Sequence, residues 1–180
     1  MQSDRISRPY PLLRVVLHWV SAAIILWASF SGFLAVERPP GDGVRRQIDL
    51  FNPQLTALFI PLFLCRAMLY LRSRPWRGWS IQPVRIKLAV AGHAMLYACT
   101  ALVLGTGYLM MPDGWRLLGL LPMPQPVRDP QQLAAIGMLH HIFTAGLAML
   151  VGGHLLAVLS HHRAGNPVLG RMRLSRAARQ

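Results

Sequence analysis

The chain has 180 residues, of which 53% are hydrophobic and 14% charged, with a net charge of +13. Soluble globular domains carry about 25% charged residues, so the composition argues against a water-soluble fold. It also argues against a nucleic-acid binder, because the basic residues cluster between long apolar runs instead of lining amphipathic faces.

The first eleven residues are polar and include Arg5, Arg8, Pro9 and Pro11. Four apolar stretches follow, each long enough for the roughly 20 residues that cross a bilayer. The first, residues 12–36, has no small-residue cleavage site after it and reads as a retained span, not a leader. After the Arg38-Pro39-Pro40-Gly41 loop comes the second, residues 51–71, with Pro53 in its first turn and Pro61 at mid-span, where a kink is expected. Arg66 lies near its end, from where a long side chain can snorkel to the interface. The Arg74-Pro75-Trp76 loop leads to the third span, residues 88–111. The fourth, residues 133–160, follows the Pro122–Pro130 segment and precedes a basic tail, residues 163–180. The pattern predicts one all-α domain, an integral membrane four-helix bundle without internal repeats. Trp76, Trp79 and Trp115 lie near span ends, where an aromatic belt belongs. Cys65 and Cys99 sit inside apolar runs without CxxC spacing and read as small core hydrophobes.

Charge asymmetry sets the expected orientation. The N-terminus, the loop between spans two and three and the C-terminal tail, with Arg14, Arg66, Arg85 and Lys87 counted in, hold 14 of the 19 Lys and Arg residues. The other side holds Arg38, Arg45, Arg46, Arg116 and Arg128 with five of the six acidic residues. The positive-inside rule then puts both termini in the cytoplasm.

All seven histidines fall in or at the edge of a span. An ionisable side chain in a membrane is costly, so each is a candidate for function. His18 lies about six residues into span one, and His93 sits at a similar depth in span three. Span four carries His140 and His141 near its outer end, His154 toward its inner half, and His161 and His162 at the inner boundary. From His140 to His154 is four helical turns, roughly 21 Å along one face, and from His154 to His161 is two turns, roughly 10 Å. One helix face therefore presents imidazoles at two depths, as ligation of a haem in each leaflet requires. Hydrogen bonding to a neighbouring helix is the ordinary role of a single intramembrane histidine, but it accounts poorly for three on one face. His141 and His162 point about 100° away from their neighbours, toward packing or interfacial water. Gly32 and Gly107 follow His18 and His93 by 14 residues and offer either a flat patch for a porphyrin edge or a site of close helix packing. Gly152 and Gly153 read the same two ways.

Other chemistries find little support. The four predicted spans contain no carboxylate, which removes an acidic proton relay and the third member of a hydrolase triad. No GxxxxGK[ST], GxGxxG or HExxH occurs.

With the histidines placed, the sequence resembles the bacterial cytochrome b561 family from about Pro11 to Met172. The resemblance rests on Leu17-His18-Trp19, Ser31-Gly32, the segment from Arg66 to Pro75, Gly92-His93 with Tyr97, and Gly107-Tyr108. It continues through His140, His154, His161-His162 and Leu169-Gly170-Arg171-Met172. It implies a four-span inner-membrane protein with haem b between His18 and His154 on the cytoplasmic side, and a second haem on the periplasmic side between His140 and a span-two histidine. The sequence departs there from the family pattern, for Asn52 stands where that histidine belongs and span two has none. An outer haem would then be five-coordinate through His140, would draw on Met110, Met111 or Met123, or would be lost. Val90 is a second departure, where another histidine is common in the family.

The resemblance further implies electron exchange with quinone, with His93 and His161 as candidates to bind a quinone carbonyl, and a periplasmic donor such as superoxide. This is the reading of a quinone-linked oxidoreductase in a respiratory chain, with membrane lipid as its surroundings. Two alternatives stand beside it: the haem-bearing membrane anchor of a larger dehydrogenase or hydrogenase, and a non-redox relative that has lost a haem.

Overall fold

The computed structural model describes residues 11–73 and 78–165, together with Gly170 and Met172. The Arg74-Pro75-Trp76 loop, Leu169, Arg171 and most of the basic tail lie outside the described residues. Four helices run up and down in sequence: α1 (Leu12–Val36), α2 (Gly43–Arg72), α3 (Val84–Leu109) and α4 (Pro130–Arg163). All four are long and apolar enough to cross a membrane. A 3₁₀ turn (Trp79–Ile81) precedes α3, and a small antiparallel hairpin of β1 (Arg116–Leu117) and β2 (Leu121–Pro122) joins α3 to α4. The bundle thus has a basic end, where α1 begins and α4 finishes, and a hairpin end.

Local chemistry explains the helix boundaries. Asp42 caps α2 by accepting from the amides of Val44 (2.8 Å) and Arg45 (3.0 Å). Asp129 caps α4 through Gln131 N (2.8 Å), with Pro130 in the first turn where no amide hydrogen is needed. The Asp42 cap starts α2 eight residues before the expected apolar run, so Pro53 lies inside the helix and not in its first turn. The added turns also bring Asp49 into α2, where it pairs with Arg45 at 3.7 Å.

Hydroxyls inside the helices bond back along their own chain, because lipid offers no water to satisfy them. Ser21 donates to Leu17 O (2.6 Å), Thr56 to Asn52 O (2.8 Å) and Thr100 to Leu96 O (2.7 Å). Apolar side chains such as Phe30, Leu88 and Met149 face outward, which costs nothing in hydrocarbon and would be a liability in water.

The bundle is built from two helical hairpins. α1 packs closely on α2 and α3 on α4, whereas α2 and α3 make the lesser seam between them. Phe59, Phe63 and Leu104 are buried at that seam, with Ile24, Ile25, Ile60, Ala67 and Tyr97 packed around them. At the α3–α4 contact, Cys99 Sγ donates to Phe143 O at 3.2 Å and lies 3.8 Å from where a side chain on Gly146 would begin. This apolar middle layer separates two polar regions, one toward each end.

Candidate functional site

The polar region near the basic end is assembled from all four helices. Arg14 on α1 donates to Leu69 O on α2 (3.2 Å), and Tyr70 on α2 donates to Val90 O on α3 (3.3 Å). These bonds fix the axial register of α1, α2 and α3. In that register His18 on α1, His93 on α3 and His154 on α4 converge. The ring centroids of His18 and His154 lie 6.5 Å apart, and those of His93 and His154 lie 5.4 Å apart.

These separations bear on haem. Imidazole nitrogens bind metals at about 2 Å, so two imidazoles sharing one metal on opposite sides have centroids roughly 6 Å apart once the ring radii are added. His18 and His154 match that spacing. His93 stands closer to His154, edge to face, and its Nδ1–H donates to Ala89 O at 2.6 Å. That bond leaves the His93 Nε2 lone pair unspent at an exposed edge of the bundle.

Arg66 departs from the sequence expectation. It does not snorkel outward but turns inward, where Nη2 donates to His18 Nδ1 at 3.0 Å and the guanidinium lies 5.4 Å from the centre of the Tyr97 ring. An acceptor and an aromatic face inside the bundle satisfy it better than lipid does. A guanidinium can only donate, so the His18 proton in this arrangement belongs on Nε2. The donor set therefore fits haem b once Arg66 leaves Nδ1 and the proton moves there.

The hairpin-end region holds His140. Its Nδ1 lies 2.9 Å from Thr106 Oγ1, and the Thr106 hydroxyl donates to Leu102 O at 2.7 Å. Thr106 therefore accepts from His140 Nδ1–H, and Nε2 keeps the lone pair a metal needs. The ring edge packs against Gly107, where a Cβ would come within 3.3 Å of Cε1. The patch expected at Gly107 is thus taken by an imidazole, whereas a Cβ on Gly32, Gly152 or Gly153 would meet nothing within 4 Å. Thr144, one turn from His140, carries the sole buried side-chain polar atom without a hydrogen-bond partner among the described residues. A polar group entering this region would satisfy it.

Asn52 faces α1. Its Nδ2 donates to Ser31 Oγ at 2.8 Å, and the fully buried Ser31 hydroxyl donates to Trp27 O at 2.8 Å. The amide is thereby a clasp between α1 and α2. His141 is exposed beside His140, with ring centroids 6.3 Å apart. His161 and His162 are exposed at the end of α4 and are not drawn into the imidazole cluster.

Outside the helices, Asp42 is held below the ordinary carboxylate value of 3.8, chiefly by the Arg45 amide, then by the Val44 amide and the Arg38 charge. Arg38 reaches Asp42 at 3.7 Å, so two of the five hairpin-end arginines are already paired.

Sequence reasoning located the histidines but missed Thr106, Thr144 and the inward turn of Arg66. A hydroxyl beside a glycine in the last turn of α3 carries no signal of its own until α3 and α4 are docked. The family model described as prokaryotic cytochrome b561 matches residues 9–173. No curated protein matches the chain.

Proposed function

This chain belongs to the prokaryotic cytochrome b561 family of haem b membrane proteins, and on that footing we propose that it carries electrons across the bacterial inner membrane. In this reading a periplasmic donor delivers electrons at the hairpin end, and quinone takes them at the basic end, which faces the cytoplasm. The observation that supports it best is the meeting of His18, His93 and His154 from three helices, with His140 at the other depth on α4.

Haem b supplies one-electron chemistry through its iron. His18 and His154 would hold it near the basic end, and His140 would hold a second near the hairpin end. The chain's own residues do the rest. Phe59, Phe63 and Leu104 keep the middle layer dry, so electrons can cross while protons, which need polar carriers, do not. His93 offers its Nε2 lone pair at the bundle edge, and after taking up a proton there it can donate to a quinone carbonyl arriving from lipid. Exposed His161 lies nearer the aqueous boundary and can resupply that proton. At the hairpin end Arg38 and Arg45 are engaged by Asp42 and Asp49, and five basic residues face five acidic ones. That balance favours a donor recognised by contact over an anion such as superoxide drawn in by charge.

The test is haem per chain on the detergent-purified protein, read with a reduced-minus-oxidised spectrum, for wild type and His154→Ala. The variant should lose the basic-end haem completely. Full haem retention in His154→Ala would overturn the ligand assignment, and a wild type without haem would overturn the electron-carrier reading.

A further inference from the structure

We infer that the hairpin-end site binds haem through His140 alone, leaving the opposite coordination position open to a small neutral diatomic ligand of the carbon monoxide class. The inference rests on the two-site reading above and adds to it a ligand-binding capacity at one site.

The first support is the distribution of imidazoles. His140 is the eleventh residue of α4 and Asn52 the tenth of α2, both counted from the hairpin end. At 1.5 Å per residue each lies about 15 Å into its helix. At that depth α1, α2 and α3 contribute no histidine. His141, the one other imidazole there, is exposed on the far side of α4's inward face.

The second is the state of His140 itself. Thr106 spends its hydroxyl hydrogen on Leu102 O, so it can serve His140 only as an acceptor. That bond fixes the tautomer with Nε2 free, and the absence of a side chain on Gly107 leaves room for the ring edge. Such an outer hydrogen bond is the usual device that orients a metal-ligating histidine. The site is preset on this one side.

The third is the engagement of other side chains toward this end. The Asn52 amide is tied to Ser31 and is a weak donor for iron in any case. Among the methionines, Met110 places its terminal methyl 3.8 Å from the Cβ position of Gly137, on α4 one turn before His140. It therefore covers the helix that supplies the first ligand, not the side opposite. Thr144 Oγ1, buried and unpartnered one turn from His140, leaves a hydroxyl available to a polar group entering the site. Binding of carbon monoxide to ferrous iron forms one coordinate bond and breaks none, so no oxidant or reductant is consumed beyond that used to reduce the iron.

The experiment uses the full-length protein in detergent, loaded with haem b. Haem per chain, the ferric electron paramagnetic resonance spectrum and the reduced spectrum with and without carbon monoxide are recorded for wild type, His140→Ala, His154→Ala and Asn52→His. The expected wild type has two haems, one low-spin and one high-spin, and carbon monoxide shifts the absorbance of one of them. His140→Ala should lose that response and keep the low-spin haem, and His154→Ala should keep the response. Asn52→His should retain two haems, convert the high-spin signal to low-spin and abolish the carbon monoxide shift, which separates a coordination effect from misfolding. Two low-spin haems without a response, from methionine or any other sixth ligand, would overturn the inference. So would a single low-spin haem, or a response that follows His154. A chain with no haem would instead defeat the proposed function.

Discussion

The two ends of the bundle hold their histidines in opposite states of readiness. Near the basic end three imidazoles converge, yet His18 is engaged through Nδ1 by Arg66 and carries its proton on the nitrogen that would face iron. Near the hairpin end a single imidazole is held by Thr106 in the tautomer that ligation needs. The end with more imidazoles would have to rearrange to ligate a metal, and the end with one is already in the tautomer for it. The number of histidines therefore says little about how a site is poised. The atom bonded to the far nitrogen of each ring says more, because it decides which nitrogen is free.

The sharpest way to break this comparison is Thr106→Val, which keeps the shape of the residue and removes the acceptor. Loss of an outer hydrogen bond to a ligating histidine typically costs 10–100-fold in metal affinity. Haem titration of the variant should show that loss at the hairpin end alone, with basic-end binding unchanged. Equal weakening at both ends would mean that Thr106 acts on packing and not on His140.

Arg66→Gln addresses the other end. Removing a guanidinium beside His18 takes away a positive charge that disfavours the oxidised iron. At an effective dielectric of about 20 and a separation of several ångströms, the effect is about 2 kcal/mol, or roughly 100 mV for one electron. The basic-end potential should fall by that order in a potentiometric titration, and Arg66→Lys should restore most of it. A Lys variant that behaves like Gln would point to the stacking on Tyr97 as the active feature, since Lys retains the charge but not the planar fork.

Much of the fold was legible because hydrocarbon imposes a simple rule: about 20 apolar residues per crossing, with breaks at Pro and Gly. The α1 limits and the face shared by His140 and His154 follow from that rule and from helical periodicity. The start of α2 was not legible from hydropathy, since Asp42 caps a polar turn containing Arg45, Arg46 and Asp49 that no apolar run announces. Arg66 was misread for a similar reason. A cation near a span end has two ways to escape lipid, outward to the headgroups or inward to an acceptor. Only the placement of α1 against α2 brings His18 within its reach. The roles of Thr106 and Asn52 depend likewise on contacts between helices far apart in sequence.

A smaller effect concerns the cover of the hairpin end. Gln54 on α2 grips the β1–β2 hairpin with both ends of its amide, donating to Arg116 O (3.0 Å) and accepting from Leu118 N (2.7 Å). Leu118 sits at φ 53°, a conformation that costs a non-glycine residue free energy and needs such support. Gln54→Ala should destabilise the hairpin by about 1 kcal/mol, since net hydrogen-bond contributions are modest where water can replace them. Faster exchange of the Leu118 amide, with no change in amides near the basic end, is the expected reading. Uniform change along the chain would instead mean that the hairpin and bundle unfold as one unit.

The smallest expected effect is the pH dependence of the α2 start, which involves only the hairpin end. Asp42 has its carboxyl lowered from 3.8, first by the Arg45 amide and then by the Val44 amide and Arg38. A group with a depressed folded value stabilises fully above its unfolded value, and that contribution is lost as pH falls through the lowered one. Exchange at Val44 and Arg45, corrected for the intrinsic pH dependence, should therefore stay protected down to the ordinary aspartate range and lose protection below it. Asp42→Asn, which keeps a capping oxygen without the charge, should remove the pH dependence while preserving most of the protection. If the dependence persists in that variant, Asp42 is not the group that sets it.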